Sequence, residues 1–196
     1  MLISAPPETE ATARVYQDSR ASQGFVMNLT RGWAWRPDVF DGFAALRAKL
    51  TDPSTLSKRE LAVLVCAAAG SLGDSYCSLA WGKKLADAAD AASAAAVLQG
   101  KATPGLSARE QALARWARKV ATAPNATTAA DVAELHAAGL TDQEIAEATF
   151  FIAFRLAFAV VNDALGAQPD AQLAQAAPPE VAAAVSYGRP VATRAS

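Results

Sequence analysis

A thiol at the start of a helix is the strongest chemical signal in this 196-residue chain. In the segment Gly73-Asp-Ser-Tyr-Cys-Ser-Leu-Ala-Trp-Gly82, Asp74 is a favoured N-cap residue, which puts Cys77 at position N3. Exposed N–H donors and the positive end of the helix dipole lower a thiol's pKa there and favour thiolate. The Asp74 charge opposes that effect. Cys77 is therefore a candidate nucleophile and Asp74 a candidate acid/base, beside plainer roles as a small buried hydrophobe and a cap. Trp81 lies four residues after Cys77 on the same helix face. It and Tyr76 are candidates to line a substrate pocket, or else core or interface aromatics. Arg155 is a charge inside Phe150-Phe-Ile-Ala-Phe-Arg-Leu-Ala-Phe158. A charge so placed must snorkel or pair. The expected partner is an Asp or Glu; the alternative is a bidentate grip on a ligand carboxylate.

The remaining reactive groups offer less. On a continuous helix Cys66 would sit about 16 Å from Cys77, beyond disulfide reach, so no bridge between them is expected. His136 is the single histidine. It falls near the C-terminal end of a helix, where a structural role suffices. One histidine without a carboxylate cluster argues against a metal site. Gly100 and Gly105 are isolated, so no phosphate loop is read. No cofactor and no metal are expected.

Helices must position these groups. Ser57-Lys-Arg-Glu60, Ser107-Ala-Arg-Glu110 and Thr141-Asp-Gln-Glu144 fit the capping box, and Thr128-Ala-Ala-Asp131 is a weaker form. Helices are predicted over 9–22, from Pro37 to Leu50, over 57–69, 74–89, 90–99, 107–123, 128–138 and 141–165, with a short helical connector over 25–36. Gly70 to Gly73 reads as an interruption, and Gly139 and Gly166 stand where C′ glycines belong. The 57–69 helix is apolar on nearly every side and should be central. No segment alternates with the period of a strand. The expected fold is all-α: one helical domain over 1–166 and a Pro/Ala-rich tail over 167–196, lying on the surface, on a partner subunit or free.

Composition agrees and excludes several function classes. Hydrophobic residues make up 52% of the chain, and 18 Lys and Arg against 19 Asp and Glu leave a net charge of −1. That balance gives no case for nucleic acid or an anionic membrane. The apolar run from Ile145 to Val161 carries Glu147 and Arg155 and reads as a core helix, not a membrane span. The first residues have neither a basic nor an apolar leader region, and two cysteines make no disulfide scaffold, so a cytoplasmic location is expected.

The stretch Leu56-Ser-Lys-Arg-Glu to Gly73-Asp-Ser-Tyr-Cys77 resembles the core of the carboxymuconolactone decarboxylase / alkyl hydroperoxidase D-like superfamily, nearest to its peroxidase-related branch. Gly24-Phe-Val-Met-Asn-Leu, Arg36-Pro-Asp, Leu106-Ser-Ala-Arg-Glu, Ala138-Gly-Leu-Thr-Asp-Gln-Glu-Ile and Asp163-Ala-Leu-Gly166 extend it over roughly Tyr16 to Gly166. The resemblance implies a helical bundle of that type, assembled as a homo-oligomer (a trimer or hexamer), acting on a small-molecule substrate. Peroxidase members carry Glu-x11-Cys-x2-Cys-x3-His, in which two thiols do disulfide chemistry and Glu and His relay protons. Laid on this chain, the four positions fall on Ala62, Asp74, Cys77 and Trp81, so only Cys77 matches. Glu60 lies about 200° around the helix from position 62 and reads as the capping-box Glu. Three functions follow as expectations. One is a weak single-cysteine peroxidase using Cys77 with an external reductant. A second is a non-redox enzyme (lyase, hydrolase or decarboxylase) with Asp74 as acid/base and Cys77, Tyr76 and Trp81 lining its pocket. The third is a non-catalytic binding protein.

Overall fold

The computed structural model describes residues 1–193. Its elements are α1 (Glu10–Gln23), α2 (Asn28–Trp33), α3 (Pro37–Thr51), α4 (Lys58–Leu72), α5 (Ser75–Ala88), α6 (Ala91–Leu98), α7 (Ala108–Thr122), a short 3₁₀ turn (Pro124–Ala126), α8 (Ala129–Ala137), α9 (Asp142–Ala164), α10 (Ala171–Ala176) and α11 (Pro179–Ala184). No strand occurs among the described residues. The fold is an all-α bundle.

The four capping boxes form as their spacing requires. Ser57, Ser107, Thr128 and Thr141 each accept from the N3 amide while Glu60, Glu110, Asp131 and Glu144 reach back to the cap amide. Each box satisfies two helix-end donors that would otherwise lack partners. Two of these helices are also cross-clamped. Arg59 donates to Glu110 at 2.5 Å, and Arg109 donates to Glu60 at 2.6 Å. The repeated Leu-Ser-x-Arg-Glu motif thus ties the starts of α4 and α7 together reciprocally.

Helix α4 is the axis of the core. Every residue from Glu60 to Ala69 is buried, and α5, α6, α7 and α9 pack around it. The interruption read at Gly70 is absent: α4 continues through it to Leu72. A Cβ at Gly70 would lie 2.2 Å from the Leu98 carbonyl oxygen, so this glycine permits a close approach of α4 and α6. The true stop is Gly73, whose φ of 71° closes α4 in the left-handed conformation.

A smaller apolar cluster joins the N-terminal helices to α9. Trp33 stacks between Phe40 at 5.5 Å and Phe158 at 5.1 Å, and its indole N–H donates to Asn162 at 2.8 Å. The segment after Ala167 is packed, not free. Val181 and Ala184 of α11 are buried in the main core, and Asp170 accepts the amide of Asn28 at 2.9 Å. Helices α10 and α11 pack against α5, and α11 also packs against α6.

Candidate active site

Asp74 caps α5 as read from its spacing. Its Oδ1 accepts the Cys77 amide at 2.9 Å, which fixes Cys77 at N3 and turns its thiol away from solvent. Across from it, α9 delivers Arg155, whose Nη2 donates to Cys77 Sγ at 3.3 Å. A carboxylate, a thiol and a guanidinium therefore meet in one cavity. Its apolar walls are Val65, Ala68 and Leu72 from α4 and Leu156 and Ala159 from α9. The cavity measures about 10 Å³, about the minimum room for one water.

Among the described residues, two polar atoms in it have no partner: Asp74 Oδ2 and Arg155 Nε. One is an acceptor and the other a donor, and their residues are 2% and 8% exposed. Buried groups of this kind are costly unless something bonds them. The pair marks the place where a water or a ligand with both a donor and an acceptor would be held.

The thiol sits in opposed fields. Burial pushes Cys77 upward, the Asp74 charge adds to this, and the Arg155 guanidinium pulls it down. A thiol in such a place is mostly protonated at rest, with a base on one side and a cation ready for the sulfur anion on the other.

The Arg155 charge is not met by an Asp or Glu. Its guanidinium instead lies 5.2 Å from the Trp81 ring centre and 5.0 Å from that of Phe158. The aromatic faces supply cation–π attraction in place of a salt bridge. Lys84 stands over the same indole at 4.1 Å. Trp81 thus holds Arg155 without lining the cavity. Tyr76 is not among the cavity walls either. Its hydroxyl donates to Asp170, and its ring packs with Leu29 and Trp33. The phenol is turned to the other cluster because Asp170, a buried acceptor, lies there. Ala62 is 1% exposed inside α4, so no polar group stands at that relay position. Cys66 and Cys77 are both free thiols. His136 has a structural setting, between the Leu140 carbonyl at 2.9 Å and Asp142 at 3.1 Å.

Asp163 lies near this site and was not singled out in the sequence. Burial and the Asp74 charge raise its carboxyl to about 6, against a lowering by Arg189. Only the folding of the C-terminal segment brings Arg189 there.

The backbone of this arrangement follows a known fold. A peroxidase-related protein from Silicibacter sp. TM1040 superposes with a TM-score of 0.77 at 22% identity, over 88% of this chain and 91% of that one. A peroxidase-related protein from Ralstonia eutropha JMP134, described as an alkylhydroperoxidase AhpD core, gives 0.72 at 23% identity, over 88% and 93%. The chain has the alkylhydroperoxidase D fold. The debrominase Bmp8 shares it: a cysteine-to-alanine variant in complex with 2,3,4-tribromopyrrole gives 0.73 at 15% identity, over 90% and 96%. No protein-family model and no curated protein matches the chain. Within the alkylhydroperoxidase D fold, this sequence places Asp74 and Arg155 around a lone cysteine at the start of α5.

Proposed function

We propose that the chain is a cofactor-independent, single-cysteine thiol peroxidase of low activity, with Cys77 as nucleophile. The observation that carries this reading is the Arg155 to Cys77 Sγ contact at 3.3 Å, opposite the open Oδ2 of Asp74. Asp74 takes the thiol proton, and Arg155 stabilises the sulfur anion that forms. The anion attacks the terminal oxygen of a hydroperoxide, the O–O bond breaks, and Asp74 returns the proton to the leaving alkoxide. Cys77 becomes a sulfenic acid and the hydroperoxide becomes an alcohol. With no second thiol in the cavity, two equivalents of an external thiol reduce the sulfenic acid, releasing water and a disulfide. A proton relay contributes about 10²–10⁴-fold, so the loss of the relay Glu and His predicts slow turnover.

Cumene hydroperoxide consumption with dithiothreitol tests the reading. Wild type should turn over slowly, and Cys77→Ser should fall to the background rate. Equal rates in the two proteins would overturn it.

A second reading keeps the site and changes the reaction. The unpartnered Asp74 Oδ2 also suits a non-redox enzyme with Asp74 as acid/base, and the Bmp8 likeness lends 2,3,4-tribromopyrrole as a probe. Hydrolytic bromide release, in which the hydroxyl of water replaces bromine and Asp74 takes the proton, would favour it over the peroxidase if it persists in Cys77→Ser and is lost in Asp74→Asn.

A further inference from the structure

The chain after α11 runs back across the turn that carries Asp74 and Cys77. We propose that Tyr187, Gly188 and Arg189 are positioning residues of the thiol site: they form a strap that sets the start of α5 and thereby the Asp74–Cys77 geometry. This rests on the reading of Cys77 as the nucleophile.

The strap's contacts fall on residues that flank the two reactive groups. Ser75 Oγ, immediately after Asp74, donates to the Arg189 carbonyl at 2.8 Å. The Tyr187 hydroxyl shares a 3.0 Å hydrogen bond with Ser78 Oγ, immediately after Cys77, and Ser78 is fully buried. Arg189 Nη2 donates to the Asp163 carbonyl at 3.0 Å, which links the strap to the end of α9, the helix that delivers Arg155.

Gly188 is what lets the chain pass so close. Its φ is 73°, and a Cβ there would lie 2.4 Å from the Gly73 carbonyl oxygen and 2.8 Å from Ser75 Oγ. The Gly73 oxygen is backbone and cannot swing aside, so a larger residue must lift the strap or displace the turn. The strap is tied down at both ends. Val181 is fully buried before it, and the Ala192 amide donates to the Pro169 carbonyl at 2.8 Å beyond it. A segment held this firmly against residues 73, 75 and 78 fixes where the Asp74 cap sits, and the cap fixes Cys77.

The full-length chain tests the proposal through Ser75→Ala and Gly188→Ala. Each is read by the iodoacetamide labelling rate of Cys77, with Cys66 mapped in the same digest, and by cumene hydroperoxide turnover. Losing one strap contact should raise Cys77 labelling about fivefold while turnover falls, because a loosened site is more open and less well aligned. The double variant should match Gly188→Ala, since lifting the strap already breaks the Ser75 contact. Ser75→Ala removes a single oxygen and keeps the test open should Gly188→Ala fail to fold. Cys77 labelling within roughly twofold of wild type in Ser75→Ala would overturn the strap. So would labelling of Cys66 and Cys77 rising in step, which reports general unfolding. A wild type that turns over no peroxide would sink the peroxidase reading alone; labelling and the double variant then still decide the strap.

Discussion

At the scale of single residues, Arg155 is the group on which the proposed chemistry turns. A cation beside a thiolate lowers its pKa by roughly 1–3 units. Replacing Arg155 with Met keeps length and removes the charge, so the Cys77 thiolate fraction at pH 8 should fall about tenfold or more. The check is the second-order rate of iodoacetamide labelling at Cys77, compared between Arg155→Met and wild type. An unchanged rate would mean that Arg155 does not support the anion. The charge inside an apolar helix was legible in the sequence, but its partner was not. Cys77 lies 78 residues away, and sulfur and aromatic faces are not the partners that residue types suggest for a guanidinium. The partner of Tyr76 was hidden for the same reason: its acceptor, Asp170, is 94 residues away. The N-cap of α5, by contrast, is a three-residue relation and was fully readable.

At the scale of elements, the cross-clamped helix starts make a specific demand on pH. Arg109 donates to both Glu60 and Glu144 at 2.6 Å, and their side chains are 12% and 17% exposed. The Arg109 hydrogen bond, helped by the Thr141 amide, holds the Glu144 carboxyl down at about 2. A depressed carboxyl stabilises the fold fully above its ordinary pKa near 4.5 and loses that contribution as pH falls toward about 2. Arg109→Ala should cost about 1–3 kcal/mol at pH 7, because it leaves two partly buried carboxylates without their cationic partner. The difference from wild type should shrink below pH 3 in urea unfolding. A difference that stays constant from pH 7 to pH 2.5 would count against the clamp. The boxes themselves were legible because each spans four residues. The reciprocity of Arg59 and Arg109 was not, since it depends on how α4 and α7 meet. Gly70 shows the same limit: sequence read a break where packing against Leu98 needed a small residue.

At the scale of the whole molecule, two surfaces carry predictions. Asp163 stands in the last turn of α9, where the helix dipole disfavours a negative charge. Its carboxyl is raised to about 6 by burial and the Asp74 charge. Holding it ionised therefore destabilises the fold above about pH 6, and the cost fades as pH falls toward the ordinary value of 3.8. Asp163→Asn should stabilise by about 1 kcal/mol at pH 8, discounted for partial exposure, with the gain gone by about pH 4. Thermal melts of both proteins across that range are the check. The second surface is the outer face of α9, where Phe150 and Val160 are each 61% exposed, with Ala153, Ala157 and Ala164 exposed on the same stripe. Such a seam suits a second copy of the chain, and we propose a homo-oligomer. Light scattering should give a multiple of 20.3 kDa; a clean monomer would refute it. The bundle was readable from helix signals alone. The packed segment after Ala167 was not, because its composition is that of a tail and only its fit against α5 and α6 reveals otherwise.

The small volume of the thiol pocket has a kinetic consequence. In the proposed peroxidase, a pocket of about 10 Å³ is smaller than a hydroperoxide, so the oxidant must wait for the site to open wider. At low peroxide the rate is the opening equilibrium multiplied by the chemical step. At high peroxide it levels off at the opening rate, with no stored enzyme–substrate complex. The rate curve would then resemble saturation, yet its midpoint would be a ratio of rate constants and not an affinity. Bulky and compact hydroperoxides would share one plateau and differ only in the concentration needed to reach it.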